Sequence, residues 1–299
     1  GAAMSGTGVA PPLVTVAMPV YNAGNHLRLA IASIVQQTFT DWELLVMDDG
    51  SSDGALNLLA QELDDPRIKV LQDGLNLGIA IRLNQAIDQA RGRYFARMDA
   101  DDISFPERFA KQVAALQKDT ALSLVATRTI TVDEFNRVSG SFPYAISHAD
   151  ICARPWLGFH FPHPTWMGKT EWFRAHRYAV PAPYLCEDQE LLLRSHRNSR
   201  FATVDEVLFA YRVKSSTDWR RFPEIRRAMA DYQLRYFIRS GRWHFAAMAL
   251  LAFLGKRGVD KWRQWTHAPH LSKTQGISAE MERQWCSVLL RVAGESRMP

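Results

Sequence analysis

The sequence predicts an α/β fold: a mostly parallel central sheet with flanking helices, followed by a C-terminal helical region. Two patterns carry that expectation. Short apolar, β-branched runs alternate with stretches of helical periodicity through the N-terminal third, as in βαβ units built on parallel strands. Each run ends in a polar, acidic or glycine-bearing turn. Parallel strands bring such turns to one edge of the sheet, where open α/β sheets bind ligands. The tail after Arg212 differs, being rich in Lys, Arg and aromatic residues.

Leu13–Met18 is the first predicted strand, and it stops at the turn-rich segment Pro19-Val20-Tyr21-Asn22-Ala23-Gly24. A helix is expected from about Asn25 to Gln37, because Leu27, Ala30, Ile31, Ile34 and Val35 recur with helical spacing. The second strand, Trp42–Met47, ends in Asp48-Asp49-Gly50-Ser51-Ser52-Asp53, which puts carboxylates, a flexible Gly and N-cap hydroxyls in one loop. The third, Ile68–Gln72, leads to Asn76-Leu77-Gly78 and a helix to about Ala90, closed by Arg91-Gly92. The fourth, Tyr94–Met98, runs into Asp99-Ala100-Asp101-Asp102.

Two carboxylates in Asp-x-Asp at a strand end repel each other unless a cation or a donor lies between them. A hard divalent ion that shares substrate phosphates is the usual solution, so the run points to a metal–diphosphate site. The plainer alternative is a solvated acidic turn capping a helix that begins near Pro106. Three strand ends with polar loops on one edge favour a nucleotide site. No Gly-x-Gly-x-x-Gly follows the first strand, and no Gly-x-x-x-x-Gly-Lys-Ser/Thr is present. Phosphate charge must therefore be met by a metal on Asp-x-Asp and not by a glycine-rich loop.

Together, Pro19-Val20-Tyr21-Asn22, Gln37-Thr38-Phe39, Asp41-Trp42-Glu43, Asp48-Asp49-Gly50-Ser51, Asn76-x-Gly78, Asn84 and Arg97-Met98-Asp99-Ala100-Asp101-Asp102 resemble the family 2 inverting glycosyltransferases with a GT-A, Rossmann-like fold. The resemblance extends from about Leu13 to Arg212. It implies that Pro19, Tyr21, Asn22, Asp49, Asn76, Gly78, Arg97 and Asp99 bind the nucleotide, with Asp49 accepting from the base N–H. Asp101, with Asp99, would be the metal ligand on the diphosphate, for Mn²⁺ or Mg²⁺. In Leu185-Cys186-Glu187-Asp188, Asp188 matches the general base of the family's Glu-Asp motif, with Glu187 beside it.

An inverting transfer is one in-line displacement, so one carboxylate must take the acceptor proton opposite the leaving group. Without the upstream motifs, Glu187 and Asp188 would read as helix-dipole residues at an N-terminus. His163, in His163-Pro164-Thr165, resembles the segment beside the acceptor pocket; it is either an acceptor-side hydrogen-bonding group or a buried, satisfied histidine. Zinc at His160-x-x-His163 is disfavoured, since no third ligand has matching spacing. Lys214 stands where many relatives have a His near the metal. An ammonium there can still neutralise phosphate charge.

The chain has 299 residues, 47% of them hydrophobic, enough for one large core plus an appendage. Three widely spaced cysteines, Cys152, Cys186 and Cys286, argue against a disulfide framework and for a reducing, cytoplasmic compartment. Gly1–Gly6 reads as a cloning remnant within a disordered leader over residues 1–12. The GT-A catalytic domain is expected over 13–216, with a nucleotide-sugar half to about 105 and an acceptor half from 106. A basic aromatic helical region is expected over 217–299.

The net charge of +5 concentrates in that region: Arg212 to Arg263 holds thirteen Lys or Arg against four Asp or Glu, interleaved with aromatics such as Trp219, Trp243, Trp262 and Trp265. Its apolar stretch Trp243–Leu254 is too short to cross a bilayer. The pattern suits an anionic membrane surface at the inner face of a bacterial inner membrane; the alternative is a helical subdomain packed on the core. A sugar-nucleotide site argues against nucleic acid as a partner.

The function expected is transfer of one sugar from a UDP- or dTDP-linked donor to a glycan or lipid-linked glycan acceptor, in cell-surface polysaccharide or lipopolysaccharide synthesis. No Gln-x-x-Arg-Trp motif is present, which argues against a processive synthase. A sugar-nucleotide nucleotidyltransferase would want a glycine-rich, basic loop after the first strand, and Pro19–Gly24 does not supply one. A non-catalytic, membrane-docked binding protein would not be expected to keep Asp99, Asp101 and Asp188.

Overall fold

A computed structural model describes residues 10–214, 221–266 and 274–294. The first half runs β1 (Val14–Val20), α1 (Leu27–Val35), β2 (Trp42–Asp48), α2 (Ala55–Leu58), β3 (Ile68–Leu71), α3 (Ile79–Gln89) and β4 (Tyr94–Arg97). These four strands pair in parallel in the order β3-β2-β1-β4. The predicted elements are therefore present, with ends moved by a residue or two. β2 is buried along its whole length and β1 nearly so, which is why they read as continuous apolar runs without alternation. Helix α1 turns Leu27, Ala30, Ile31 and Ile34 to the sheet, after a single 3-10 turn at Gly24–His26 that shortens the predicted helix at its start.

The second half is less regular. It contains β5 (Ile103–Ser104), α4 (Arg108–Lys118), β6 (Leu124–Val132), β7 (Val138–Ser141), α5 (His148–Ile151), β8 (Met167–Lys169), α6 (Thr170–Ala175), α7 (Glu187–Ser195) and β9 (Phe201–Arg212). The sheet continues from β4 through β8, β6 and β9 to β5. Here the pairing is mixed: β8 lies antiparallel to both β4 and β6, whereas β6 and β9 are parallel. The largely parallel character thus belongs to the first four strands. β8 has only three residues, too few to show a periodicity.

Three helices follow: α8 (Phe222–Arg239), α9 (Trp243–Thr266) and α10 (Ala279–Ala293). Helices α8 and α9 form a hairpin around Gly241, whose φ of 70° suits a residue without a side chain. Phe237, Ala246 and Ala249 enter the same core as Leu191, Leu192 and Leu193 of α7. Helix α10 returns to the sheet and buries Trp285, Val288 and Val292 against Ile103, Phe105, Ile130 and Leu208. The Trp285 ring stacks on Phe105 at 6.1 Å, and its indole N–H donates to the Asn136 carbonyl at 2.8 Å. Burying a large apolar side chain is worth about 1.5–3 kcal/mol, so these contacts hold the tail to the core. The expected boundary at Ser216, Trp219 and the first nine leader residues lie outside the described residues.

Candidate active site

The parallel strands bring their C-terminal loops to one edge, as the sequence leads one to expect. The loop after β1 is sewn to the loop after β2. Asn22, in a left-handed turn at φ 49°, donates its N–H to Ser51 Oγ at 3.0 Å and accepts from Ser52 N at 2.8 Å. Gly24 N donates to Asp53 Oδ2 at 2.8 Å, and Ser51 N to Asp48 Oδ1 at 3.2 Å. Asn22 thus shapes the loop, leaving the Tyr21 ring 58% exposed above the half-buried end of β1 at Pro19.

Asp49 is buried under this loop, where four donors meet its carboxylate: Leu77 N at 2.7 Å, Gly78 N at 3.1 Å, Asn76 Nδ2 at 3.2 Å and Arg82 Nε at 2.9 Å. A carboxylate offers about four lone-pair sites, and these are taken. The Asp49 carboxylate thus holds the Asn76–Gly78 loop in place. Arg82 is itself buried and reaches on to Asp73 at 2.7 Å, whose carboxyl it holds down at about 2. Gly50 permits this close packing, because a Cβ there would lie 3.1 Å from the Leu75 carbonyl group. Gly78, at φ 91°, begins α3.

At the end of β4 the three carboxylates part company. Asp99 pairs with the buried Arg97 guanidinium at 2.9 Å. Asp101 faces Lys214 Nζ at 3.4 Å, and burial together with the neighbouring Asp99 charge raises its carboxyl above the usual range. Asp102 turns inward and accepts from Arg212 N at 2.8 Å. Its other oxygen is buried without a hydrogen-bond partner, and desolvation pushes its pKa well up. Arg212 also donates from Nε to the Asp101 carbonyl at 2.8 Å, fixing the turn.

Asp99 and Asp101 keep side-chain exposures of 28% and 20%. Two partly exposed hard oxygen donors, one with its ionised form disfavoured by its neighbour, fit a divalent cation. Among the described residues no group of three or more His, Cys, Asp or Glu could hold an ion by itself. Oxygens of a diphosphate would have to complete the shell.

Arg97 also joins this pair to the opposite wall. Its Nε donates to His163 Nε2 at 3.1 Å, and Tyr178 Oη lies 2.7 Å from the same nitrogen. Glu187 Oε1 stands 3.9 Å from the other ring nitrogen. Burial, and then the Arg97 charge, push the His163 pKa well down, so the ring is neutral and satisfied. The buried Arg97 thus bridges Asp99 and His163. Tyr178 is fixed by Asn84, which donates to the Tyr178 carbonyl and accepts from its N–H, both at 3.0 Å.

Glu187 and Asp188 open α7. Gln189 clamps that turn by exchanging hydrogen bonds with the backbone of Phe159, at 2.8 and 3.2 Å. Burial, and then the Asp188 charge, raise the Glu187 carboxyl to about 7; burial raises Asp188 as well. Cys186 is buried, with its thiol pushed up to about 12, so it acts as packing and not as a nucleophile.

The sequence reading missed Arg82, Tyr178 and Gln189. Arg82 had a signal, since it falls on the apolar face of α3 beside Leu83 and Ala86, where a charge must have a partner. Tyr178 had none, because it lies in an irregular segment between α6 and α7.

A family model described as Glycosyl transferase family 2 matches residues 15–177. The chain is 34% identical over 215 residues to a protein of Bacillus subtilis (strain 168) that carries the name glycosyltransferase EpsE, covering 70% of this chain and 76% of that one. It is 38% identical over 107 residues to UDP-Glc:alpha-D-GlcNAc-diphosphoundecaprenol beta-1,3-glucosyltransferase WfgD of Escherichia coli, covering 36% of this chain and 42% of that one. Among solved structures, S. aureus TarS 1-349 in complex with UDP-GlcNAc has a TM-score of 0.62 at 18% identity, covering 93% of this chain and 80% of that one. Mannosyltransferase PcManGT from Pyrobaculum calidifontis, in complex with GDP-Man and Mn2+, has a TM-score of 0.54 at 17% identity, covering 96% and 88%. The chain spans 49% of the longer TarS structure.

Proposed function

The chain belongs to the family 2 glycosyltransferases and has a GT-A fold, and from that premise we propose that it is an inverting, metal-dependent hexosyltransferase. In this proposal it moves one sugar from a UDP- or dTDP-linked donor to a glycan or lipid-linked glycan, in bacterial cell-surface polysaccharide or lipopolysaccharide synthesis. The observation that carries the proposal is the link between the two walls: Arg97 bonds both Asp99 and His163, and the latter adjoins Glu187. One carboxylate of the donor-side pair, Asp99, and one of the acceptor-side pair, Glu187, thus flank the same buried Arg97–His163 contact.

The nucleotide would rest against Tyr21 and Pro19, on the floor that Asp49 and Arg82 make from Asn76 and Gly78. Asp101, with Asp99, would hold Mn²⁺ or Mg²⁺, which neutralises charge on a leaving diphosphate. Lys214 adds a positive charge at the same place. Asp188 takes the proton of the acceptor hydroxyl as that oxygen attacks the anomeric carbon. The bond from that carbon to the diphosphate oxygen breaks, the electron pair leaves with the nucleoside diphosphate, and configuration inverts. A carboxyl raised by burial makes a stronger base than a free one. The reaction is assigned to the cytoplasm, at the inner face of the membrane. No helix among the described residues is long and apolar enough to cross a bilayer.

A panel of nucleotide sugars, read by thermal shift with and without Mn²⁺, tests the proposal. Ligands that bind only the folded state raise its stability. One donor should stand out, only with metal, and Asp101→Ala should erase its shift while leaving the unliganded melting temperature near that of the parent. A panel without response, or an Asp101→Ala protein that responds as the parent does, overturns the assignment.

A further inference from the structure

We propose that the outward face of α9 is a docking surface for an anionic lipid bilayer. The proposal rests on the glycosyltransferase reading only for its purpose, which is to bring the Asp188 wall to a membrane-held acceptor. On α9, Ala246 and Ala249 are buried against the core. The opposite side carries Trp243 at 64% exposure, Leu250 at 43%, Leu251 at 69%, Leu254 at 54%, Trp262 at 57% and Trp265 at 82%. At 100° per residue these six fall on one side of the helix. Single exposed apolar residues need no explanation, but a continuous stripe of this length marks an interaction surface.

Charge decides the occupant. Residues 221–266 hold ten Lys or Arg against three Asp or Glu. Two of the three acids are already paired, Asp260 with Arg226 at 2.7 Å and Asp231 with Arg235 at 3.0 Å. Lys261 lies within the stripe, and the half-buried Arg257 lies at its margin, its guanidinium 5.7 Å from the Phe253 ring; such side chains lay their apolar stems along lipid while the charge reaches headgroups. Tryptophan at both ends of the stripe suits the headgroup boundary, where an apolar ring with one N–H is at home. An apolar stripe with cationic margins is what an interfacial helix presents to anionic lipid.

Position gives the surface a use. Helix α8 lies between α9 and α7, with Met229 and Gln189 both against Gly158 and Phe237 packed with Leu191–Leu193. A bilayer under α9 would therefore sit at a fixed distance from the turn that carries Asp188. An acceptor anchored in that bilayer would meet the base without a change in fold.

The test uses the full chain with vesicles of phosphatidylcholine, alone or mixed with phosphatidylglycerol. The parent should pellet with the mixed vesicles, with a blue shift in tryptophan fluorescence, and added salt should release it. Leu251→Glu with Leu254→Glu should abolish pelleting, and Lys261→Gln should weaken it about fivefold, the usual worth of one cation near such a surface. Donor-induced thermal shifts should be unchanged in all of these variants. A parent that stays in solution, or a Leu251→Glu, Leu254→Glu protein that pellets like the parent, overturns the proposal. So does a soluble dimer that these substitutions dissolve, because the occupant would then be a second copy. Vesicle binding without any donor response would leave the surface standing and remove the enzyme reading; a donor response without vesicle binding would do the reverse.

Discussion

At the residue scale, the site depends on which carboxylates stay ionised. Asp188→Asn keeps size and shape but cannot take a proton. It should preserve the donor-induced thermal shift and lower turnover by roughly 10²–10⁴-fold, the usual worth of a positioned base; single-turnover kinetics with the identified donor would check this, and near-parental transfer would exclude Asp188. Its neighbour predicts a pH effect. With its carboxyl raised from 4.5 to about 7, folded Glu187 keeps a proton that the unfolded chain has already lost. Stability therefore falls as pH rises through that window. Glu187→Gln should then gain on the order of 1–3 kcal/mol over the parent at about pH 8 and little at about pH 4. Urea unfolding at the two pH values measures this, and an equal effect at both would sink it. The placement of Asp188 in the first turn of a helix was legible in the sequence, because Glu-Asp opens a helix-like run there. The burial that raises both carboxyls was not legible, since it comes from tertiary packing around the start of α7 that no local pattern announces.

At the element scale, the loops after β1, β2 and β3 behave as one unit: Asn22 and Gly24 tie the first to the second, and Asp49 and Arg82 tie the second to the third. Removing one partner of a buried pair leaves an uncompensated charge, which costs about 3–5 kcal/mol. Arg82→Met should cost about that much in denaturant unfolding and also weaken donor binding, because Asn76 and Gly78 lose their anchor. Adding Asp49→Asn should recover part of the stability, since the stranded charge is then gone; additive losses would mean the pair is not coupled. β1, β2 and β4 were legible as elements because each is a buried apolar run, and β3 because its short run leads into the periodic helix α3. β7 and β8 were not, being four and three residues long and held by neighbours, not by a pattern of their own. The Asp-Asp-Gly-Ser loop shows a related limit. Its sequence advertised acceptors, but only the fold reveals that Asp49 spends its acceptors on its own protein.

At the scale of the whole molecule, the parallel half and the mixed half share one continuous sheet, with the acidic loop Asp99–Asp102 where β4 gives way to β5. The amphipathic character of the tail was legible from its composition. The return of α10 was not, because nothing local in Ala279–Ala293 names Phe105 as its partner. That return has a consequence for how the protein comes into being. On the ribosome, the strand that follows the aspartates is made early, whereas the helix that covers Ile103 and Phe105 emerges near the end of the described chain. Until then the nascent protein carries a bare apolar patch beside its most acidic loop. Contacts so far apart in sequence slow folding and leave apolar surface open to misassembly meanwhile. Support of the strand beside the aspartates thus waits until Trp285 has been made, and a chain stalled before it would hold its aspartates on an unsupported strand.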